Sequence, residues 1–593
     1  MTQDESGRFA RHSGNNPWLV PALTLIVVLG TVLATYWPAL SARAQYMDDK
    51  FYIGTPLTQH PSWASIKIFF REVFAPSMIN GYYQPLAFVS VMLDFLDPAA
   101  AQSLLPFHRT TLLLHLLNVA LVVFLLHGLV RGWITAGFLA LLYGLHPLNA
   151  DAVLWIAERK TVLSAFFALS SLLLYLAYAR RSEQTGRGDW KRYGASLFLY
   201  GCALLSKPTA LPMVAVLWIL DYWPLGRFGR RTLIEKMPFV ALAILSAVVT
   251  VVSQVHSGEA GTVHFIKLFY VPITVAYGVG FYLLKIVWPT GLVSDYLYPQ
   301  PLSLTNVEVL GNAIVALGVV AAIVLSIRRG RAWFAGGLFF FAMLLPTLGL
   351  IRYTSSIATN RSMYLPMVGL LLPLHWALTN LWQKGGGALK ASAARVLVGC
   401  VGATLAMASI YVTRNYESHW QDTVTLLRYY LSQQPSDWRL HTRMGNEWIQ
   451  RGDHRAAIGE FNEALRLNWG WTENHLNAGR ALFTVGDYAE AAQAFSVALE
   501  QTPNDWRAHM LMGMTRQRLG HWEASLLEFQ TAARLAPKAA MPHFNIANIL
   551  AQQGKVDEAA AEYQETLRLE PRFAEARRAL DGIRGRKPDG LGP

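Results

Sequence analysis

A strict 34-residue period in the C-terminal third leaves that part of the chain little freedom. Gly445, Gly479, Gly513 and Ala547 recur at that spacing, as do Phe461, Phe495, Phe529 and Tyr563, and Pro503, Pro537 and Pro571 close three of the units. A period of this length is two helices and two turns. No single unit can bury its own apolar face, so the units must stack.

The small residue at the helix contact, the aromatic in the second helix and the closing proline together make the tetratricopeptide signature. Four full repeats are expected over 438–571. His419 to Pro435 reads as the second helix of a degenerate leading repeat within 414–437, and 572–593 reads as a solvating cap helix and tail. Such a stack offers a concave surface to an extended peptide or another protein. Bracing the rest of the chain is its plainer use.

Ahead of Thr413 the character reverses. Of 593 residues, 53% are apolar and 15% charged, too greasy for an ordinary soluble protein. Trp18 to Pro38 carries no charge and is long enough to cross a bilayer. Further spans are read at about 110–130, 132–147, 160–179, 192–206, 208–223, 237–256, 309–327, 332–351, 362–382 and 394–413, eleven in all. The first run lacks a small-residue cleavage pattern and reads as a retained anchor. Residues 266–288 are apolar but include Lys267, Pro272 and Lys285.

Charge decides that ambiguous stretch. The net charge of +13 sits in short blocks between apolar runs, RRSEQTGRGDWKR, GRFGRRTLIEK, RRGR and KGGGALKASAAR, as in cytoplasmic loops. It therefore reports topology and implies no nucleic-acid partner. Eleven spans with the N-terminus inside keep all four blocks in the cytoplasm, whereas a twelfth would put two outside, so 266–288 is expected to be re-entrant or interfacial. The resulting layout is a cytoplasmic tail (1–17), a membrane domain (18–413) with a large outer loop (39–107), and outward repeats. In that loop SWASIKIFFREVF puts Trp63, Ile66, Phe70 and Val73 on one helical face, as for a helix lying in the interface. Cys202 and Cys400, both in apolar segments, provide no disulfide framework.

No phosphate loop, zinc-ligand spacing or nucleophile elbow occurs in a suitable context. The outer loops carry a different set: Asp48 and Asp49 directly after the first span, His146, Asp151, Glu158, Arg159, Lys160, Lys207 and Arg361. Charges beside hydrocarbon are expensive and mark functional candidates. A carboxylate can deprotonate a hydroxyl nucleophile, while Arg and Lys can hold a phosphate and stabilise its leaving charge. That division of labour suits transfer from a lipid-linked phosphate. Solvated loop residues and snorkelling cations are the bland alternative for each residue alone. His115 and His127, inside a span, read as hydrogen-bonded polar groups.

The Asp-Asp pair after the first span, HPLNADAVLWIAERKTVLS, ALLSKPTALP with LDYWPLGR, and ATNRSMYLPMVG, ahead of C-terminal repeats, resemble the transmembrane and tetratricopeptide-repeat (TMTC) proteins and their bacterial relatives. The resemblance implies a GT-C glycosyltransferase, an all-α polytopic bundle followed by a tetratricopeptide solenoid. Such an enzyme takes a sugar, mannose or another hexose, from a polyprenyl-phosphate carrier to protein hydroxyls on the outer or lumenal face. It implies Asp48 or Asp49 as the acceptor-activating acid, with Asp48 favoured, and Arg159, Lys160 and Arg361 as carrier-phosphate contacts, to which the chemistry of SKPTALP adds Lys207. His146, Asp151 and Glu158 are expected to support them. One acid of the pair is expected to face the site while the other holds the loop or a metal; a metal requirement is not legible. Two positions depart from the family pattern: Asp151 stands where Glu is usual, and Asn360 removes an acid, so no hydrogen-bonding or acidic role is carried over to position 360.

The scarcity of cysteine and the short loops point to a bacterial inner membrane. Two other readings are a non-enzymatic scaffold docking envelope proteins through its repeats, and a GT-C enzyme modifying a lipid or polysaccharide.

Overall fold

A computed structural model describes residues 17–71, 83–227, 229–256, 264–265, 270–328, 330–348, 351–352, 356–383 and 388–584. Most of the expected cytoplasmic tail, Val73 of the interfacial helix, the start of the 266–288 stretch, the KGGG run and the end of the C-terminal tail lie outside the described residues. The chain divides into two compact units, Met1–Leu426 and Leu427–Pro593.

The first unit is a predominantly helical membrane bundle. Its helices are α1 (Leu19–Tyr36), α2 (Asp49–Ile53), α3 (Pro56–Gln59), α4 (Trp63–Arg71), α5 (Pro85–Asp94), α6 (Leu105–Val130), α7 (Trp133–Leu145), α8 (Ala150–Leu154), α9 (Arg159–Thr185), α10 (Trp190–Ser206), α11 (Met213–Leu220), α12 (Arg230–His256), α13 (Val271–Val287), α14 (Val307–Ser326), α15 (Arg331–Leu344), α16 (Pro366–Gln383) and α17 (Ala388–Ser418). Two short antiparallel strand pairs interrupt them: His264–Phe265 with Ile351–Arg352, and Tyr296–Leu297 with Ser356–Ala358.

Among the described residues, six stretches are long and apolar enough to cross a membrane: Leu19–Ser41, Leu105–Val130, Ile156–Thr185, Arg230–Ser253, Val307–Ser326 and Val396–Gln421. The protein is an integral membrane protein. Pro85–Asp94, Trp133–Leu145, Val271–Val287 and Arg331–Thr347 are apolar but shorter than the roughly 20 residues of a straight crossing, so the six do not reach the eleven expected spans. The last helix does not stop at Thr413, where the apolar run fades, but continues to Ser418, and Thr413 and Tyr416 are bonded into the bundle.

Polar residues fix the bundle from within. α9 packs on α10 and α6, and Ser171 and Ser196 join α9 to α10 through reciprocal hydroxyl–carbonyl bonds of 2.7 and 2.9 Å. In hydrocarbon such bonds replace the hydrophobic drive that lipid removes.

The second unit is the repeat stack. Its helix pairs are Trp438–Gln450 with His454–Leu467, Thr472–Val485 with Tyr488–Gln501, Trp506–Arg518 with Trp522–Leu535 and Ala540–Gln552 with Val556–Leu569, followed by Ala574–Arg584. The period has a steric cause. Phe495 is buried with its ring against Gly479, where an added Cβ would lie 2.5 Å from the ring edge. Between the two helices of each repeat, Gly452, Gly486, Gly520 and Gly554 hold positive φ angles of 78° to 95°, which L side chains rarely adopt.

Candidate functional site

The turn Ile156–Glu158 leads straight into α9, and its one carboxylate meets a cation from α9 itself and two from distant parts of the chain. Glu158 is buried. Its Oε1 lies 3.0 Å from Arg361 Nε and 3.6 Å from Lys160 Nζ, and its Oε2 lies 3.0 Å from Lys207 Nζ and accepts a short bond from Thr161. One acid thus gathers Lys160 from the first turn of α9, Lys207 from the end of α10 and Arg361 from the turn before α16. The three cations are not sealed in. Their side chains stay 12%, 18% and 16% exposed, so each can reach a further anion.

Burial and neighbours set their charges. Burial lowers Lys207 to about 8, helped by the like charges of Lys160 and Arg361 and opposed by Glu158. Burial would lower Arg361 too, but the carboxylates of Asp295, Glu158 and Asp151 outweigh it and hold the guanidinium above its ordinary value. Arg361 also donates to the Ser294 carbonyl at 3.0 Å and to Asp295 Oδ1 at 3.2 Å, and stacks over Trp155 at 4.7 Å.

The two adjacent acids have different surroundings. Asp49 is fully buried; its Oδ2 accepts from Tyr46 N at 2.9 Å and its Oδ1 from Ala157 N at 2.8 Å, while Trp155 Nε1 donates to the Tyr46 carbonyl. It bolts the loop to the turn that carries Glu158. Burial pushes its carboxyl up to about 7 against the pull of those two N–H groups. Asp48 keeps 32% of its side chain exposed and faces Lys160 at 3.5 Å. Beneath them the Lys160 ammonium lies 5.5 Å over the Tyr52 ring, whose hydroxyl accepts from Gln84.

Arg159 does not join this group. As neighbours on a helix, Arg159 and Lys160 point about 100° apart, and Arg159 is turned inward with 0% exposure. It bonds Asp94 at 2.8 Å, Thr111 at 2.7 Å, Ser90 at 3.2 Å and the Phe107 carbonyl. It clamps α9 to α5 and α6 and has no face to offer a carrier phosphate. His146 is likewise committed: its Nε2 donates to the Ile286 carbonyl and its Nδ1 accepts from Leu148 N, a pairing that the neutral ring satisfies.

Asp151 is buried behind the cluster, its oxygens accepting from the Tyr416 hydroxyl and from Asn360 Nδ2 at 3.0 Å. Burial raises it to about 6. The sequence reading withheld a hydrogen-bonding role from position 360, yet Asn360 also accepts from Tyr296 and donates to the Val293 carbonyl. Tyr364, three residues beyond Arg361, meets His115 Nδ1 at 2.7 Å and Asn118 at 3.1 Å. His115 Nε2 faces the Gly144 carbonyl, which can only accept, so Nδ1 accepts from Tyr364. Asp94, Trp155 and Asp295 were missed by sequence reasoning. Asp295 carried no signal there, being a lone acid that the pairing of Tyr296–Leu297 with Ser356–Ala358 brings beside Arg361.

Comparison with known proteins adds the following. The tetratricopeptide repeat family matches residues 442–506, 476–514 and 510–573. The chain is similar to Protein O-mannosyl-transferase TMTC1 of Mus musculus, 28% identical over 243 residues, 37% of this chain and 24% of that protein. It is also similar to Protein O-mannosyl-transferase Tmtc2 of Drosophila melanogaster, 28% identical over 24% of this chain and 15% of that protein, and to Protein O-mannosyl-transferase TMTC3 of Homo sapiens, 25% identical over 34% and 21%. The matched segments thus span a quarter or less of each relative. Among solved structures, YrrB, a TPR protein with an unusual peptide-binding site, is 17% identical over 35% of this chain and 98% of its own, with a TM-score of 0.26. MamA is 17% identical over 26% and 90%, with a TM-score of 0.25.

Proposed function

We propose that this chain is a membrane glycosyltransferase that moves a hexose, mannose first among them, from a polyprenyl-phosphate carrier to hydroxyl groups of an exported polypeptide. The observation that carries the reading is the meeting of Lys160, Lys207 and Arg361 on Glu158, beside Asp48, in a chain similar to proteins named O-mannosyl-transferases. Three cations ending at a partly open surface suit a phosphodiester. As the carrier leaves, the sugar–oxygen bond breaks with its electron pair going to the phosphate, and these cations stabilise that charge. The acceptor oxygen bonds the anomeric carbon and its proton passes to Asp48, the acid of the pair that solvent can reach. Glu158 keeps the cations together without consuming all their donors.

The repeats engage the acceptor on the same, outward face of a bacterial inner membrane, with the N-terminus in the cytoplasm. The test is transfer of radiolabelled mannose from polyprenyl phosphate to peptide by the purified chain, repeated with a chelator to decide on a divalent metal. Absence of transfer by a protein that still retains envelope proteins would favour the scaffold, and label in lipid or polysaccharide the third reading. A reporter fused after Pro593 should be active only outside the cytoplasm.

A further inference from the structure

Arg361 reaches Glu158, Asp295 and the Ser294 carbonyl together only because the turn that carries it, Asn360–Met363, is pinned. The pin is the preceding residue. Asn360 is buried. Its Oδ1 accepts from the Tyr296 hydroxyl at 2.8 Å, while its Nδ2 donates to the Val293 carbonyl at 2.9 Å and to Asp151 Oδ2 at 3.0 Å. The Val293 carbonyl can only accept, so the nitrogen end of the amide must face it and, with it, Asp151. The other Asp151 oxygen takes the Tyr416 hydroxyl from α17. One amide therefore joins α8 to the segment Val293 to Tyr296, and Asp151 extends the link to the end of α17. That segment supplies the two partners that hold Arg361 on the side away from Glu158.

We infer that Asp151 is a positioning residue acting through Asn360, setting the Arg361 guanidinium in register with Glu158 and with the donor phosphate. The inference rests on the reading that Arg361 contacts that phosphate. The pair is directional. Two acids at these positions would have to share a proton, and an acid at 360 would also set an oxygen against the Val293 carbonyl, acceptor against acceptor. The acid therefore belongs at 151 and the amide at 360, and removing either side chain breaks the same link.

The experiment uses four full-length proteins in detergent: the parent, Asp151→Ala, Asn360→Ala and the double substitution. Each single change should raise the KM for polyprenyl-phosphate mannose about tenfold or more, since small misplacements of a binding group have costs of that order, and leave the acceptor KM unchanged. The double substitution should cost little more than the worse single, as expected of two residues acting through one link. In an Arg361→Ala background, Asp151→Ala should add nothing to donor KM. The inference is overturned if the singles lower only the folded fraction while donor KM stays at the parent value, or if the losses of the two singles multiply in the double. Melting temperatures of the same four proteins need no substrate. A coupled pair by melting with an inactive parent overturns the transferase reading while leaving the Asp151–Asn360 link standing. An uncoupled pair by both readouts removes the link itself.

Discussion

In the repeat unit a residue finds its partner a fixed distance along the chain; in the membrane unit it does not. His441, His509 and His543 each meet a glutamate 19 residues on, Glu460, Glu528 and Glu562, at 2.7, 2.6 and 2.7 Å. His475 has Ala494 at the matching place and keeps the bond to the carbonyl six residues back, Trp469, as His441 and His509 do to Pro435 and Pro503. Asp151 lies 209 residues from Asn360 and 265 from Tyr416, and Gln45 N bonds Thr423 across 378. A solenoid accumulates its order from neighbours. A site assembled across the bundle exists only when the whole bundle is folded, and damage to it should spread accordingly.

The largest effect that would break this contrast is chemical. Asp48→Asn should cut mannose transfer by about 10² to 10⁴-fold, the range for a positioned base, with donor affinity nearly unchanged and repeat folding untouched. A variant within a few-fold of the parent leaves the acid pair as a polar turn. Next comes the clamp: Arg159→Ala strands the buried Asp94 carboxylate and should destabilise the membrane unit by about 3–5 kcal/mol. Hydrogen exchange should show the loss across α5, α6 and α9 while the repeats keep their protection. A loss confined to the first turn of α9 would contradict the distributed behaviour expected of this unit.

Gly479→Ala places a methyl group 2.5 Å from the Phe495 ring and should cost about 1–3 kcal/mol. Exchange should rise in that repeat and its neighbours, with protection of α9 unaltered; loosening of the membrane helices would show the units to be coupled.

The smallest effects separate the units by pH. Lys207, lowered to about 8, loses its proton as pH rises through that value. Donor affinity should therefore fall between pH 7 and 9, by at most about tenfold, as the protonated share drops, and Lys207→Arg should flatten the profile. In the repeats, the hydrogen bond to Glu460 raises His441 above the ordinary histidine value. A folded state that holds the proton more tightly gains stability below the unfolded pKa and loses it as pH rises through the raised one. Melting of the repeats should fall slightly over that interval, and His441→Gln should remove the slope.

The same contrast explains what was readable beforehand. Gly479 against Phe495 and the closing prolines follow from one repeating column pattern. The acids and cations of the outer loops could be picked out singly because charge beside hydrocarbon is costly, but their grouping could not. Nothing local separates Arg159 from Lys160 except a turn of about 100°, and that turn sends one into a buried clamp and the other to Glu158. Position 360 looked like a lost acid until Asp151, Tyr296 and Val293 were found around it.

By itself, the sequence determined the helical class, the membrane character, the repeat register and a pool of charged candidates, because each follows from local composition or from a spacing of a few turns. Only the tertiary structure decided that Lys160, Lys207 and Arg361 share one carboxylate, that Asp49 is a bolt while Asp48 stays reachable, and that Asp295 belongs with them. Those relations join residues from separate helices and loops, and their distances are set by how the helices pack, which no period in the chain encodes.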